Sequence, residues 1–172
     1  ALSEQSFQSA AHSYSATGYR AADPACDPVG ALHPRLAADC HLLGRLERAS
    51  VLLHRNARVA WLILVPDTDA RGWHELDDAE HDRISRQVRD LSITAGEFFV
   101  ADKMNVAAIG NEVPQMHVHI VARHEHDACW PKPVWGHLPP GEGYAVSRID
   151  AITAALADML NLRAVARGDT HA

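Results

Sequence analysis

The stretch "MHVHIVA", Met116 to Ala122, restricts the fold of this chain more than any other segment. On a β-strand, side chains alternate between the two faces with a period of two. Met116, Val118, Ile120 and Ala122 then share one face, a continuous apolar set suited to a core. Gln115, His117, His119 and Val121 share the other. The core face is filled without the histidines, so the imidazoles are expected to line something wet.

The segments around this strand predict its partners. "SVLLHRN" and "VAWLILVP" are rich in Val, Leu and Ile and are separated by the turn-like "NAR", the pattern of a hairpin. In "DDAE", Asp77 is placed as a helix N-cap with Glu80 three residues on. Beyond it Ile84, Val88, Leu91, Ala95 and Phe98 recur at spacings of four and three, one face of an amphipathic helix. "NVAAIG", Asn105 to Gly110, reads as a strand joined to the histidine strand by a short turn through Gly110 and Pro114. "CWPKPVWGHLPPGEG" is extended or looped, and Val146, Ile149, Ile152, Leu156 and Leu160 mark a C-terminal helix. "HPRLAADCHLLGRL", from His33, is a partly apolar lead-in with no clear pattern. Hairpins with separate helices, and no βαβ alternation, give an α+β fold around an antiparallel sheet.

A length of 172 residues suits one compact domain. Residues 1–28 are Ser- and Ala-rich and bury too little to offset ordering entropy, so a mobile tail is expected there. Residues 29–140 form the expected domain, and 141–172 a helical extension packed on it. The net charge of −6 argues against a nucleic-acid partner, and an anionic ligand would have to be met by a few placed donors. Cys26, Cys40 and Cys129 have no CxxC spacing and suggest a reducing compartment. The longest apolar run, "VAWLILV", is far shorter than a membrane span, and the first residues have no apolar core of a secretory signal. The expectation is a soluble, cytoplasmic protein with no membrane partner.

Three uses of a polar face bearing two histidines compete. Imidazoles at i and i+2 can reach one metal ion, but no other ligand cluster of good spacing accompanies them. A solvated strand edge would tolerate incidental histidines. The third use is phosphate chemistry. A neutral imidazole attacks phosphorus and leaves again readily, and phosphoryl transfer depends on positioning and on donors that stabilise charge. Gln115 and His119 flank His117 as such donors, and Asn111 follows Gly110 in a turn that brings its amide near.

"GNEVPQMHVHIVAR", Gly110 to Arg123, resembles the signature of the histidine triad (HIT) superfamily, in which three spaced positions read HxHxH. His117 matches the central, nucleophilic histidine and His119 the third, while Gln115 replaces the first. "NARVAWLILVP", "HELDDAE" and "NVAAIGN" are similar to the family's preceding strands and helix start. "HPRLAADCHLLG" and "WPKPVWG" are similar to flanks of a bacterial subgroup described as diadenosine tetraphosphate hydrolase-like, so the resemblance spans residues 31–140. A further family histidine, on an earlier strand, falls at Trp61.

The resemblance implies a HIT-like fold with an antiparallel sheet of about five strands, a central helix and a C-terminal helix. It implies a nucleotide hydrolase or transferase acting on the α-phosphate of dinucleoside polyphosphates or nucleoside phosphoramidates through a nucleotidyl-histidine intermediate. His117, His119 and Gln115 would be catalytic, and Asn105 and Asn111 would bind substrate. No protein-held metal or tightly bound cofactor is called for, with Mg²⁺ entering only alongside a polyphosphate. A homodimer is expected. The alternative is a non-catalytic nucleotide-binding sensor that keeps the pocket. Asn56 is assigned to turn chemistry, and Trp130 and Trp135 to packing over the sheet. Arg123 either meets phosphate or ends its strand in water, and "RHEHD" reads as a solvated loop.

Overall fold

The computed structural model describes residues 31–165. The proposed tail, residues 1–28 with Cys26, and the end of the C-terminal extension lie outside the described residues. The chain runs α1 (Pro34–Asp39), β1 (Cys40–Leu46), β2 (Ala49–His54), β3 (Ala60–Pro66), α2 (Asp78–Phe99), β4 (Lys103–Ala107), β5 (Val118–Arg123), α3 (Val146–Leu160) and β6 (Arg163–Ala164). The strands form one antiparallel sheet in the order β4-β5-β3-β2-β1-β6.

The expected hairpin is β2–β3, with Leu52 opposite Ile63 and Leu53 opposite Leu62. The lead-in without a clear pattern becomes α1 and β1, and β1 pairs with β2 through an irregularity at Leu42–Gly44. Gly44 is required there, because a Cβ would collide with the Arg163 carbonyl and the Leu162 side chain where β6 crosses. β6 is the sixth strand, beyond the five expected. Asp77 caps α2, its Oδ1 accepting from the Glu80 amide at 2.8 Å. The turn foreseen between β4 and β5 is instead the longer connection 108–117.

The sheet is covered on both faces. On one, Val118 and Ile120 of β5 meet Ile84, Leu91 and Ala95 of α2 and Ile149, Ile152 and Leu156 of α3. The split of β5 by face is therefore as the alternation predicts. The opposite face differs from expectation. Leu52, Trp61, Ile63, Val65 and Val121 lie under a second apolar layer that includes Leu36, Val113 and Val134. His117 and His119 are consequently only 7% and 8% exposed. They sit beside a second core, lining a cavity and not a fully exposed strand face.

Arg123 ends β5 but does not end it in water. It is 1% exposed. Its Nε and Nη2 donate to the two Asp127 carboxylate oxygens at 2.6 and 3.0 Å, Nη1 donates to Asn105 Oδ1 at 2.8 Å, and Nη2 also donates to the Lys132 carbonyl at 2.9 Å. Trp130 lies over the guanidinium at 5.5 Å. "RHEHD" is thus not a solvated loop throughout, since Asp127 folds back to neutralise a buried cation. A paired and fully bonded guanidinium is what makes this burial tolerable.

Burial works to raise the Asp127 carboxyl, but bonds from Arg123 and from the Cys129 and His124 amides override it and bring it down to about 2. A carboxyl whose native value lies below its unfolded value of about 4 stabilises fully above that value. The contribution fades as pH falls from about 4 to about 2. Asp127→Ala strands Arg123 and should cost about 3–5 kcal/mol in urea unfolding at pH 7. The wild-type advantage over the mutant should shrink across that acid window, and a pH-independent difference would contradict the assignment.

Candidate functional site

A cavity of about 510 Å³ opens on the second face of the sheet. This is a volume typical of small-ligand sites. β5 and the residue before it supply His119 and His117, β3 supplies Trp61, β2 supplies His54, and α1 supplies Arg35 and Asp39. The 108–117 connection adds Asn111 and Glu112, with Gly110 at φ +62°, a left-handed turn that glycine adopts without strain. Val134, Trp135 and Gly136 close the cavity from the Pro-rich loop.

That loop is tied to the β2–β3 hairpin. Asn56 Nδ2 donates to the Pro139 carbonyl at 2.9 Å, and Arg58 Nε to the Pro140 carbonyl at 2.9 Å. Asn56 Oδ1 also accepts from the Arg58 amide at 3.1 Å, the expected turn chemistry. Gly141 lies so close that any Cβ would collide with Asn56 Oδ1.

The two imidazoles of the motif meet edge to face, with ring centroids 4.9 Å apart. His117 Nδ1 lies 2.7 Å from the Gln115 carbonyl. A carbonyl can only accept, so Nδ1 carries a proton, and in the neutral ring Nε2 is the nitrogen that keeps a lone pair. Trp61 Nε1 donates to His119 Nδ1 at 3.0 Å. Desolvation first, then His117 and His54, push the His119 ring down to about 4, so it is neutral at pH 7. The polar contact that a histidine at position 61 would offer is thus not lost, because the indole N–H supplies one. Trp135 meets His119 and Trp61 edge-on at 5.4 and 5.7 Å, packing over the sheet as expected.

His54 is a cavity residue that sequence reasoning missed. Its ring stacks on Trp61 at 4.6 Å and 15°, and burial, opposed by Asp39, lowers its pKa. Period-two alternation on β2 was the available signal, since it puts His54 on the face of Leu52, which lies opposite Ile63.

Of the residues singled out by sequence, His117, His119 and Asn111 come together on the cavity. The side chains of Gln115 and Asn105 are engaged elsewhere. Gln115 Oε1 accepts from the His33 amide at 2.9 Å, and Nε2 donates to the Ala31 carbonyl at 2.7 Å. It straps the lead-in of α1 across the start of the histidine segment. Alternation did not reveal this because β5 begins only at Val118, so Gln115 lies outside the regular strand. Asn105, on β4, holds Arg123. Among the described residues, no group of three or more His, Cys, Asp and Glu side chains could hold a metal ion. No helix among them is long and apolar enough to cross a membrane.

The family model described as HIT domain matches residues 35–126, more than half of the chain. The chain belongs to the HIT-domain family. No curated protein matches it significantly. Among solved structures, a histidine triad protein from Bradyrhizobium japonicum is 35% identical, with TM-score 0.73, covering 77% of this chain and 99% of its own. One from Marinobacter aquaeolei is 41% identical, with TM-score 0.71 and coverages of 76% and 96%. A third, from Sinorhizobium meliloti, is 31% identical, with TM-score 0.72 and the same coverages. Family membership supports a nucleotide-binding or nucleotide-processing role for this HIT protein.

The Gln115 strap has a direct readout. Each of its two bonds contributes about 1 kcal/mol. In Gln115→Ala, exchange of the His33 amide should accelerate roughly fivefold or more. Unchanged exchange at His33 would show that the amide holds nothing there.

Proposed function

We propose that this HIT protein is a nucleotide hydrolase or transferase acting at an α-phosphate through a nucleotidyl-histidine intermediate. The observation that carries the reading is the complementary wiring of the two imidazoles. In its neutral form His117 has an unprotonated Nε2, while His119, with Nδ1 occupied by the indole, keeps an Nε2–H donor. A nucleophile beside a neutral donor, both largely buried, is what attack on a phosphorus requires.

In this scheme His117 Nε2 forms a bond to the α-phosphorus as the bond to the leaving group breaks, its electron pair departing with that group. His119 and Asn111 donate to non-bridging oxygens, and the Gln115 carbonyl orients the nucleophile. Gln115 and Asn105 take part by positioning, through the lead-in and through Arg123. Water then attacks the phosphorus, the mononucleotide leaves, and His117 is restored. Among the described residues, and apart from the histidines, the charged side chains lining the cavity are Arg35, paired to both Asp39 and Glu112, and those two carboxylates. Among the described residues, this wall holds no surplus cation for a long anionic leaving group. A dinucleoside polyphosphate, the substrate suggested by the tetraphosphate hydrolase-like subgroup, would bring Mg²⁺ to screen its charge, whereas a nucleoside phosphoramidate would need none.

His117→Ala should abolish turnover of both substrate classes, by several orders of magnitude, because it deletes the covalent route itself. Binding of a nucleoside monophosphate, followed by calorimetry, should persist. Near-normal turnover in His117→Ala would overturn the mechanism. Wild-type binding without any turnover would favour the sensor reading.

We also propose a homodimer. β4 is a sheet edge, and Val106 on it, Ile109 just beyond it and Ile93 on α2 are exposed apolar side chains. An open strand edge of this kind gains by being covered. Light scattering at micromolar concentration should give twice the chain mass, and a monomer mass would contradict the proposal.

A further inference from the structure

We infer that Trp61 is a positioning residue of the candidate site: its indole N–H fixes His119 as a permanent Nε2–H donor that does not exchange protons during turnover. An indole nitrogen donates and never accepts, unlike an imidazole. While it donates to His119 Nδ1 at 3.0 Å, that nitrogen has to be an acceptor, and the proton of the neutral ring has to be on Nε2. Protonating His119 at Nδ1 would place two N–H groups head to head in a buried contact.

The indole itself is held on two sides. His54 stacks on its face at 4.6 Å, and Trp135 meets its edge at 5.7 Å. Trp135 also meets His119 directly at 5.4 Å, so the aromatic side chains form one packed group. Trp61 is only 8% exposed, and its N–H is engaged by His119. The titratable groups that act on His119 are His117 from the same segment and His54 from β2, and Asp39 at the end of α1 acts on His54. Both neighbouring imidazoles disfavour a further positive charge on His119, the same direction as the indole.

The consequence concerns proton flow. A ring held as a neutral donor stabilises charge on the phosphate oxygens throughout the reaction. It has no spare proton for the leaving group, which must take one from water or leave without one. For turnover this rests on the hydrolase reading above; for the tautomer it does not.

The test uses the full chain labelled with ¹⁵N and long-range ¹H–¹⁵N spectra of its imidazoles, recorded against pH for wild type and Trp61→Phe. Phe keeps an aromatic ring for His54 to stack on but removes the N–H. In wild type, His119 should show an unprotonated, hydrogen-bonded Nδ1 and a protonated Nε2, with no protonation from pH 7 down to about pH 5. In Trp61→Phe its protonation should move up in pH and its tautomers should mix. The kcat should fall by about ten- to a hundredfold, by analogy with the loss of partners that orient metal-bound imidazoles. A wild-type His119 protonated at Nδ1 would overturn the inference, as would an unaltered tautomer and titration in Trp61→Phe. Should Trp61→Phe not fold, the wild-type spectrum alone decides the tautomer. The expected tautomer in a protein without turnover would refute the hydrolase reading and leave this assignment standing. Turnover with the opposite tautomer would do the reverse.

Discussion

β5 lies between β3 and β4 with both of its faces covered, yet it carries imidazole on one of them. Burial penalises every ring nitrogen that lacks a partner. Here the Nδ1 atoms of both rings are satisfied within the protein, by the Gln115 carbonyl and the Trp61 indole. The two partners have opposite characters, one an acceptor only and the other a donor only. Two chemically identical side chains two residues apart are thereby given different tautomers, and the Nε2 atoms of both are left for a ligand. The rest of the site follows from keeping those contacts in register.

Two devices outside the cavity maintain that register. At the far end of β5, Arg123 and Asp127 bind the strand to β4 through Asn105 and to the following loop through the Lys132 carbonyl. That loop delivers Trp135 to His119, and Asn56 and Arg58 fasten its later part through Pro139 and Pro140. At the near end, the Gln115 amide straps Ala31 and His33, and His33 caps α1, its Nδ1 accepting from the Arg35 amide at 3.2 Å. α1 in turn brings Arg35 and Asp39 to the cavity. A glutamine reaches backbone groups with both its oxygen and its nitrogen.

Much of this was legible in the sequence where a period was long enough to read. Asp77 and the apolar positions of α2 placed that helix, and the alternation of β5 assigned Val118 and Ile120 to one core and the histidines to the other side. What escaped was set by contacts between distant segments. His54 reads as an ordinary end to an apolar strand until β3 brings Trp61 beside it. Arg123 reads as a phosphate contact or a strand end in water, and Asp127 as part of a solvated loop, because a buried ion pair looks like any polar segment until its partners fold around it. The second apolar layer draws on Leu36, Val113 and Val134, residues from three irregular or short segments with no common period. β6, with only two residues, carries no pattern at all.

In the proposed mechanism His117 forms a bond to phosphorus. Wild-type protein mixed for milliseconds with a dinucleoside polyphosphate, and separately with a nucleoside phosphoramidate, and then quenched in alkali can be weighed intact and digested. The account predicts an added mass of one nucleoside monophosphate, on the peptide that carries His117, appearing and decaying at rates consistent with turnover. Turnover without any adduct, or an adduct on a different residue, would contradict it.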